Sequence, residues 1–297
     1  MAGRITVALV TTATASALLV ASQGAVEAIP TDRHEPPAAR AGLRCQTGVV
    51  GFDSEHHLRY DQFTNGRLVK SDRTATPLPV EVTAWGHFSN HGSRKRSRLA
   101  LNAITTDGVP RRIKLTLTQS SVRARVVRKY QQRSFTPELF ADSYTYFAYT
   151  VRGRTLKRWA LTRYRDGDVR FASPVVVGRL PEELTSLQAT LSATVHRRAS
   201  EILYGTTSSG ELYQIVVPFR EPRRARLHRL AASGYEGVTE LSWTLCNRQG
   251  TVHSLIAIDP VGNRATWTTI RRALTRPKSN LRGDVVGVSD WALSAVY

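Results

Sequence analysis

A degenerate repeat runs through most of this chain and constrains its fold more than any other feature of the sequence. In each copy a short apolar stretch contains a glycine or alanine, and an aspartate or threonine stands two positions later. The small residues are Gly51, Ala103, Ala148, Gly205 and Ala257, with spacings of 52, 45, 57 and 52 residues. In four of the copies a glycine follows five positions after the small residue. A repeat of this length is typical of proteins built from similar units packed side by side.

Each copy is typical of a β-hairpin. The aspartate or threonine can accept a hydrogen bond from the backbone two residues on, and the glycine supplies the positive φ that closes a turn. A second apolar strand follows, at 212–217 in the fourth copy, and then a more polar strand at 224–228. Strands that contain tryptophan follow in three copies, at 82–85, 241–243 and 290–293.

Four strands in such a repeat predict an all-β chain that forms a single β-propeller. Five four-stranded blades fit the repeat best, with four or six as alternatives. A ring needs its last strand to pair with the first blade, because both edges otherwise stay open. We expect the apolar C-terminal strand, 291–297, to close the ring. Only residues 181–195 fit either a helix or a strand.

The fourth hairpin resembles the repeat of tachylectin-2-like five-bladed propellers. In those proteins an apolar strand, a turn glycine and a Leu-Tyr pair recur in every blade, as in residues 202–213 with Gly210, Leu212 and Tyr213. The second and fifth copies lack the Leu-aromatic pair. Members of that family bind N-acetyl sugars in pockets between strands, so the resemblance implies a lectin-like protein. Their pocket residues have no position-by-position match in this chain.

The N-terminal residues predict export. Residues 1–28 combine a basic start, an uncharged stretch and small residues before Ala28, which indicates a signal peptide cleaved there. An uncleaved anchor is the alternative, because the stretch is nearly long enough to span a bilayer. Residues 29–41, with three prolines, indicate a linker, and 42–297 the propeller domain. We therefore expect a secreted, extracellular protein.

The chain has two cysteines, Cys45 and Cys246. Outside the cell they can form a disulfide that ties the start of the propeller to a point near its end. Two buried free thiols are the alternative, and the sequence leaves both open.

The formal net charge of +19 suggests an anionic partner, such as nucleic acid, teichoic acid or an acidic glycan, and of these nucleic acid is the least expected. A genome that favours arginine is the alternative cause, because only six of the 42 basic residues are lysine. Arg123 and Arg125, and likewise Arg224 and Arg226, alternate with apolar residues, which predicts a basic rim on the outer strands. Such a rim either binds polyanions or prevents sheets from aggregating.

Two aspartates and four histidines could have a catalytic or metal-binding role, and each also has a structural interpretation. Asp53 and Asp259 occupy the same repeat position, where they could act as the paired carboxylates of a glycoside hydrolase. Thr105, Thr150 and Thr207 fill that position in the other copies, which favours turn capping. Four histidines are grouped in the first third of the chain: His56, His57, His87 and His91. Their spacing matches no recognised zinc site, so we expect them in exposed loops. Trp85, Trp243 and Trp291 are expected in the core.

The sequence thus predicts no catalytic residue, no metal site and no cofactor. The leading hypothesis is a secreted, non-catalytic binding protein, a lectin-like propeller that recognises a glycan or another extracellular polymer. The alternatives are a secreted glycoside hydrolase that uses axial carboxylates, and a cell-surface interaction scaffold.

Overall fold

The structure, a computed structural model, describes residues 45–284 except 54, 80–81, 94–95, 107–109, 119–120, 130–137, 144–145, 164–168, 248 and 263. The chain divides into two compact units, Met1–Ala39 and Arg40–Tyr297, and every described residue belongs to the second. The predicted signal peptide, the whole predicted linker and the closing strand at 291–297 lie outside the described residues and stay predictions.

The described residues form five antiparallel sheets, which we number in chain order. Sheet 1 contains β1 (Gln46–Phe52), β2 (Leu58–Thr64) and β3 (Arg67–Arg73). Sheet 2 contains β4 (Val82–Ser93), β5 (Arg96–Thr105), β6 (Pro110–Thr118) and β7 (Val122–Lys129). Sheet 3 contains β8 (Leu139–Asp142), β9 (Phe147–Arg152), β10 (Thr155–Arg163), β11 (Val169–Phe171) and β12 (Val175–Arg179).

The last two sheets are the most regular. Sheet 4 contains β13 (Leu184–Val195), β14 (Arg198–Thr207), β15 (Leu212–Pro218) and β16 (Arg226–Ala231). Sheet 5 contains β17 (Glu240–Leu245), β18 (Val252–Asp259), β19 (Arg264–Arg271) and β20 (Lys278–Asp284). Residues 181–195, which the sequence left open, therefore supply strand β13 and no helix. The polar strand expected at 224–228 begins two residues later, because Pro222–Arg224 forms a 3-10 turn.

The five sheets pack in a ring. The first strands of sheets 2, 3, 4 and 5 lie side by side, with β4 against β8, β8 against β13, and β13 against β17. Strand β17 then contacts β1, so the fifth sheet returns to the first, and β2 contacts β7 between sheets 1 and 2. This arrangement confirms the predicted all-β propeller.

A separate hydrophobic cluster fills each of the five boundaries between neighbouring sheets. Sheets 4 and 5, for example, share a cluster that includes Tyr204, Leu255 and Ile270, all fully buried. The other clusters join sheets 1 and 2, 2 and 3, 3 and 4, and 5 and 1. Burial of one such side chain contributes roughly 2 to 3 kcal/mol, so these boundaries hold the ring together.

Strand β14 is apolar on both faces because each face packs against a different neighbouring sheet. Leu203 packs into the cluster shared with sheet 3, and the next residue, Tyr204, packs into the cluster shared with sheet 5. The small residue of the repeat, Gly205, lies where the first strand of its own sheet approaches closely. A Cβ atom there would come within 2.8 Å of Leu184 Cδ1 and 3.1 Å of the Ser186 carbonyl oxygen. The repeat therefore needs a small residue at this point.

The sequence repeat and the sheets are offset by one strand. The five small residues of the repeat lie in β1, β5, β9, β14 and β18. Four of these are the second strands of sheets 2 to 5. The two described tryptophan-containing strands, at 82–85 and 241–243, lie in β4 and β17, which are the first strands of sheets 2 and 5. Strand β1 corresponds to a second strand, so the described part of sheet 1 lacks the inner strand that the other sheets have. We predict that residues 291–297 supply it.

Over the described part of the chain, Pro222–Arg224 is the one helical element. Three residues are far too short to cross a bilayer, so no membrane-spanning helix is found in this part.

Candidate functional site

The repeated aspartate and threonine position proves to be a turn position in three copies. Asp53 Oδ1 accepts from the backbone N–H groups of Glu55 and His57 at 3.0 and 2.9 Å. Asp259 Oδ1 accepts from Gly262 N at 2.7 Å, and Thr207 Oγ1 from Glu211 N at 3.1 Å. At Thr150 the prediction of capping is wrong, since its hydroxyl accepts from Trp159 Nε1. Thr105 accepts from the Arg111 side chain, and its turn at 107–109 lies outside the described residues, so capping there stays a prediction.

The carboxylates that lie on inner strands differ from those that the hydrolase hypothesis named. Glu240 begins β17, where burial raises the pKa of its carboxyl group well above the usual range. Glu240 is half-buried by surface area. Asp142 ends β8, so the two lie at opposite ends of the inner strands. Glu240 and Asp142 on the described inner strands therefore do not face each other as the two carboxylates of most glycoside hydrolases do.

The prediction of exposed loop histidines is wrong at three of its four positions. His57 is buried, and its Nδ1 donates to the Thr74 carbonyl oxygen at 2.6 Å. His87 and His91 lie in strand β4. His56 is exposed. The described residues contain no group of three or more histidine, cysteine, aspartate or glutamate side chains that could hold a metal ion.

The cysteine pair joins the two ends of the sheet order. Cys45, which precedes β1, forms a disulfide with Cys246, which follows β17. Ser242 Oγ donates to the Gly48 carbonyl oxygen at 2.7 Å and joins the same two sheets. Of the tryptophans expected in the core, Trp243 packs against the cluster between sheets 4 and 5. The side chain of Trp85 and the whole of Trp291 lie outside the described residues.

The turns at one end of sheets 4 and 5 concentrate basic side chains. We call this surface the basic edge. Its members are exposed and lie in the β13–β14 turn with the start of β14, in the β15–β16 connection with the start of β16, and at the end of β19 with the β19–β20 connection. They are His196, Arg197, Arg198, Arg220, Arg223, Arg224, Arg226, Arg271, Arg272 and Arg276.

One described carboxylate, Glu221, lies in the basic edge. Its Oε2 atom accepts hydrogen bonds from Arg198 Nη1 at 3.1 Å and from Arg224 Nη1 at 3.3 Å. The other seven arginines of the edge form no ion pair with any described carboxylate. Their charge is therefore available to a partner.

The opposite end of the same sheets contains carboxylates that are already paired. Glu211 accepts from Arg229 at 2.9 Å and from the Tyr213 hydroxyl at 2.7 Å, which lowers the pKa of Glu211. Asp259 pairs with Arg264 at 3.2 Å. The two ends of sheets 4 and 5 therefore differ, because carboxylates lie at this end and unpaired arginines lie at the basic edge.

The backbone of the basic edge takes up a conformation that its residues disfavour. His196 and Arg197 form the two-residue turn between Val195 and Arg198, and both have positive φ, at 47° and 66°. Arg272 also has positive φ, at 54°. Two-residue hairpin turns of this kind prefer Asn-Gly, because other side chains are strained there. Basic side chains are thus kept at positions where the backbone favours glycine.

The electrostatic environment of His228 shows the same excess of positive charge. This half-buried histidine lies in β16, two residues after Arg226. Burial lowers the pKa of His228, and the positive charges of Arg226 and His196 lower it further. A bound anion would act in the opposite direction and raise that pKa.

Sequence reasoning found only part of this surface. The predicted alternation is confirmed for Arg123 and Arg125, which are exposed on β7 while Val122 is buried. Arg224 and Arg226 are also exposed, although Arg224 lies in the 3-10 turn rather than in a strand. The remaining edge arginines were missed. The doublets at 197–198, 223–224 and 271–272, each between two apolar strands, were the available signal.

Comparisons with known proteins give distant structural likenesses. No protein-family model matches the chain, and no curated protein matches it. Among solved structures, the chain is similar to AofleA from Arthrobotrys oligospora (11% identity, 82% of this chain and 69% of that chain, TM-score 0.46). It is also similar to a mutant of the Aleuria aurantia lectin in complex with Fucalpha1-6GlcNAc (8% identity, 83% and 80%, TM-score 0.44).

A third likeness is to the WD40 domain of SCAP from fission yeast, at 12% identity over 76% of this chain, with a TM-score of 0.33. The chain spans about half the length of that protein, 52% of it. All three TM-scores are below 0.5, so the fold assignment rests on the strand pairing and the packing between sheets described above.

Proposed function

We propose that this chain is a secreted, non-catalytic binding protein that holds an acidic glycan, or a related anionic extracellular polymer, along its basic edge. The observation that carries the proposal is the set of seven exposed arginines there without a described carboxylate partner. Guanidinium groups bind carboxylate, sulfate and phosphate groups in a fixed geometry. An array of them on adjacent sheets suits a repeating polyanion.

Protection against aggregation does not account for this arrangement. Charges that prevent sheets from pairing are needed along an exposed edge strand, where unpaired backbone groups would extend the sheet. Arg197 and Arg223 lie in turns, and turns do not extend a sheet. The strain kept at His196 and Arg197 also favours a functional role, because a turn selected only for stability would contain Asn-Gly.

Binding should depend on charge and weaken with salt. We expect fluorescent dextran sulfate and alginate to bind at low ionic strength and neutral dextran not to bind, because salt screens exposed charges. Substitution of Arg223→Gln with Arg226→Gln should weaken binding about tenfold, or roughly 0.7 kcal/mol for each arginine, within the range of an exposed ion pair. The matched control is Arg123→Gln with Arg125→Gln, which removes the same charge from sheet 2. Fluorescence anisotropy titrations measure all of these affinities.

Each result has a clear consequence for the proposal. Equal losses in the two double variants would mean that overall charge attracts the polymer and the basic edge has no special role. Salt-resistant binding of neutral dextran would favour sugar pockets between sheets instead. Absence of binding to both acidic polymers would refute the proposal.

The strained turn provides an independent prediction. Replacement of His196→Asn with Arg197→Gly should raise the free energy of unfolding by about 1 kcal/mol, because Asn and Gly accept positive φ. The same double variant should bind acidic polymer less tightly, because it loses an edge arginine. Urea unfolding and the anisotropy titration together test this trade-off. A variant that is less stable than the natural protein would show that the turn is not strained.

A further inference from the structure

Glu221 occupies the space between two arginines of the basic edge. Its Oε2 atom alone accepts from both guanidinium groups, Arg198 at 3.1 Å and Arg224 at 3.3 Å. Arg198 begins strand β14, and Arg224 ends the 3-10 turn that follows Glu221. Two positive groups from different elements therefore converge on a single negative oxygen.

The backbone keeps the two arginines close whether or not the carboxylate is present. Phe219 N donates to the Ala199 carbonyl oxygen at 3.0 Å, which fixes the end of β15 beside the start of β14. The buried guanidinium of Arg158, on sheet 3, donates to the carbonyl oxygens of Pro218 and Phe219 at 3.2 and 3.0 Å. Arg224 N donates to the Glu221 carbonyl oxygen at 2.9 Å and closes the turn. Without a negative group between them, the two guanidinium groups would repel each other.

The carboxylate is held weakly enough to be displaced. The side chains of Arg198, Glu221 and Arg224 are 57%, 44% and 67% exposed, and ion pairs between such exposed groups contribute little to stability. A sulfate or phosphate monoester presents three terminal oxygens in a tetrahedral arrangement, against the two coplanar oxygens of a carboxylate, so guanidinium groups that approach from two different elements could each take an oxygen of their own.

We infer that Arg198 and Arg224 form a subsite for one sulfate or phosphate ester group of the polymer, and that Glu221 fills this subsite in the free protein and competes with the ligand. The inference rests on the proposed function and adds a ligand class and a competitor to it. Glu221 thereby lowers the affinity for the polymer, since a polymer must displace its carboxylate before it can bind both arginines.

Substitution of Glu221→Gln tests the inference, because it removes the charge and keeps the size of the side chain. We expect this variant to bind dextran sulfate and dextran phosphate about fivefold more tightly than the natural protein in anisotropy titrations, since the competing ion pair is lost. The matched control is Glu183→Gln, an exposed glutamate before β13 at the opposite end of sheet 4. It makes the same change in net charge and should leave the affinity within a factor of two.

Two further arms complete the experiment. Arg198→Gln added to Glu221→Gln should cancel the gain, because one half of the subsite is lost. Alginate, whose anionic groups are carboxylates, should gain less than the sulfate and phosphate polymers from Glu221→Gln. Urea unfolding of each variant verifies that the fold is retained.

The outcomes separate the inference from the function on which it rests. If the natural protein binds none of the acidic polymers, the proposed function fails. If it binds them but Glu221→Gln binds no more tightly, or Glu183→Gln gains equally, the subsite is refuted and the proposed function stands. An equal gain on alginate would refute the preference for sulfate and phosphate esters.

Discussion

Loss of the Cys45–Cys246 disulfide is expected to lower the free energy of unfolding by about 5 kcal/mol, the chain-entropy value for a loop of this length. The two cysteines are separated by 201 residues, so the bond closes almost the whole described chain into one loop. It also joins the first sheet to the fifth, beside the Ser242 hydrogen bond to Gly48. A domain of this kind is stable by roughly 5 to 15 kcal/mol, so the loss is a large share of the total.

The measurement compares urea unfolding of the oxidised protein with that of a Cys45→Ala and Cys246→Ala double variant. The double variant should be much less stable, and addition of reductant should destabilise the natural protein while leaving the variant unchanged. A difference below 1 kcal/mol would contradict the prediction. It would mean that hydrophobic packing between sheets 1 and 5, around Val49, Phe63 and Ile256, closes this boundary by itself.

The sequence predicted the strands well because their causes are local. Asp259 marks its turn through a hydrogen bond from Gly262, three residues on. Gly205 marks the close approach of β13, and although the atoms it meets belong to Leu184 and Ser186, the small residue itself stands out within its apolar strand. The offset between repeat and sheet was not predicted, because a tryptophan-containing strand is equally close in sequence to the sheet before it and the sheet after it. His57 was expected to be exposed because its partner, the Thr74 carbonyl, is 17 residues away.

The candidate site was harder to predict for the same physical reason. Arg198 begins β14, Arg224 lies in the β15–β16 connection and Arg271 ends β19, so they form one surface only when sheets 4 and 5 pack together. Nothing in the His196–Arg197 dipeptide indicates a tight turn, since Asn and Gly are the residues that mark one. Glu221 was missed as a competitor because its relation to Arg198 spans 23 residues.

Acidification from pH 7 to pH 4 is expected to lower the free energy of unfolding by about 3 kcal/mol through a single buried histidine. His253 is 3% exposed, and burial lowers its pKa to about 4 from an ordinary value of 6.5. The Gly250 carbonyl can only accept a hydrogen bond, so His253 Nε2 donates to it, and neutral Nδ1 accepts from the Tyr204 hydroxyl at 2.7 Å. Protonation of Nδ1 would turn this acceptor into a donor, so the Tyr204 hydroxyl, which already accepts from Gln214 Nε2, would have to reorient and accept from a buried imidazolium at the boundary between sheets 4 and 5.

The direction of the effect follows from proton binding. Between pH 6.5 and pH 4 the unfolded chain takes up a proton at this residue and the folded chain does not, so stability falls as the pH falls. Asp61 and Glu240 act in the opposite direction, because burial raises the pKa of each and the folded chain then binds their protons more tightly. The total pH profile therefore mixes both effects, and a variant is needed to isolate the histidine.

Substitution of His253→Gln isolates it, because the amide can still donate to Gly250 but does not titrate. Urea unfolding should show the variant less stable than the natural protein at pH 7, since the contact with Tyr204 is altered. The difference should shrink as the pH falls and vanish or reverse near pH 4, where the natural protein pays the cost of a buried charge. A difference that stays constant from pH 7 to pH 4 would show that His253 is not the group that titrates. The contact of His253 with Tyr204 joins sheets 4 and 5, and these two sheets form the basic edge. If acid loosens the boundary between them, polymer binding should weaken below pH 5 in the natural protein and not in the variant.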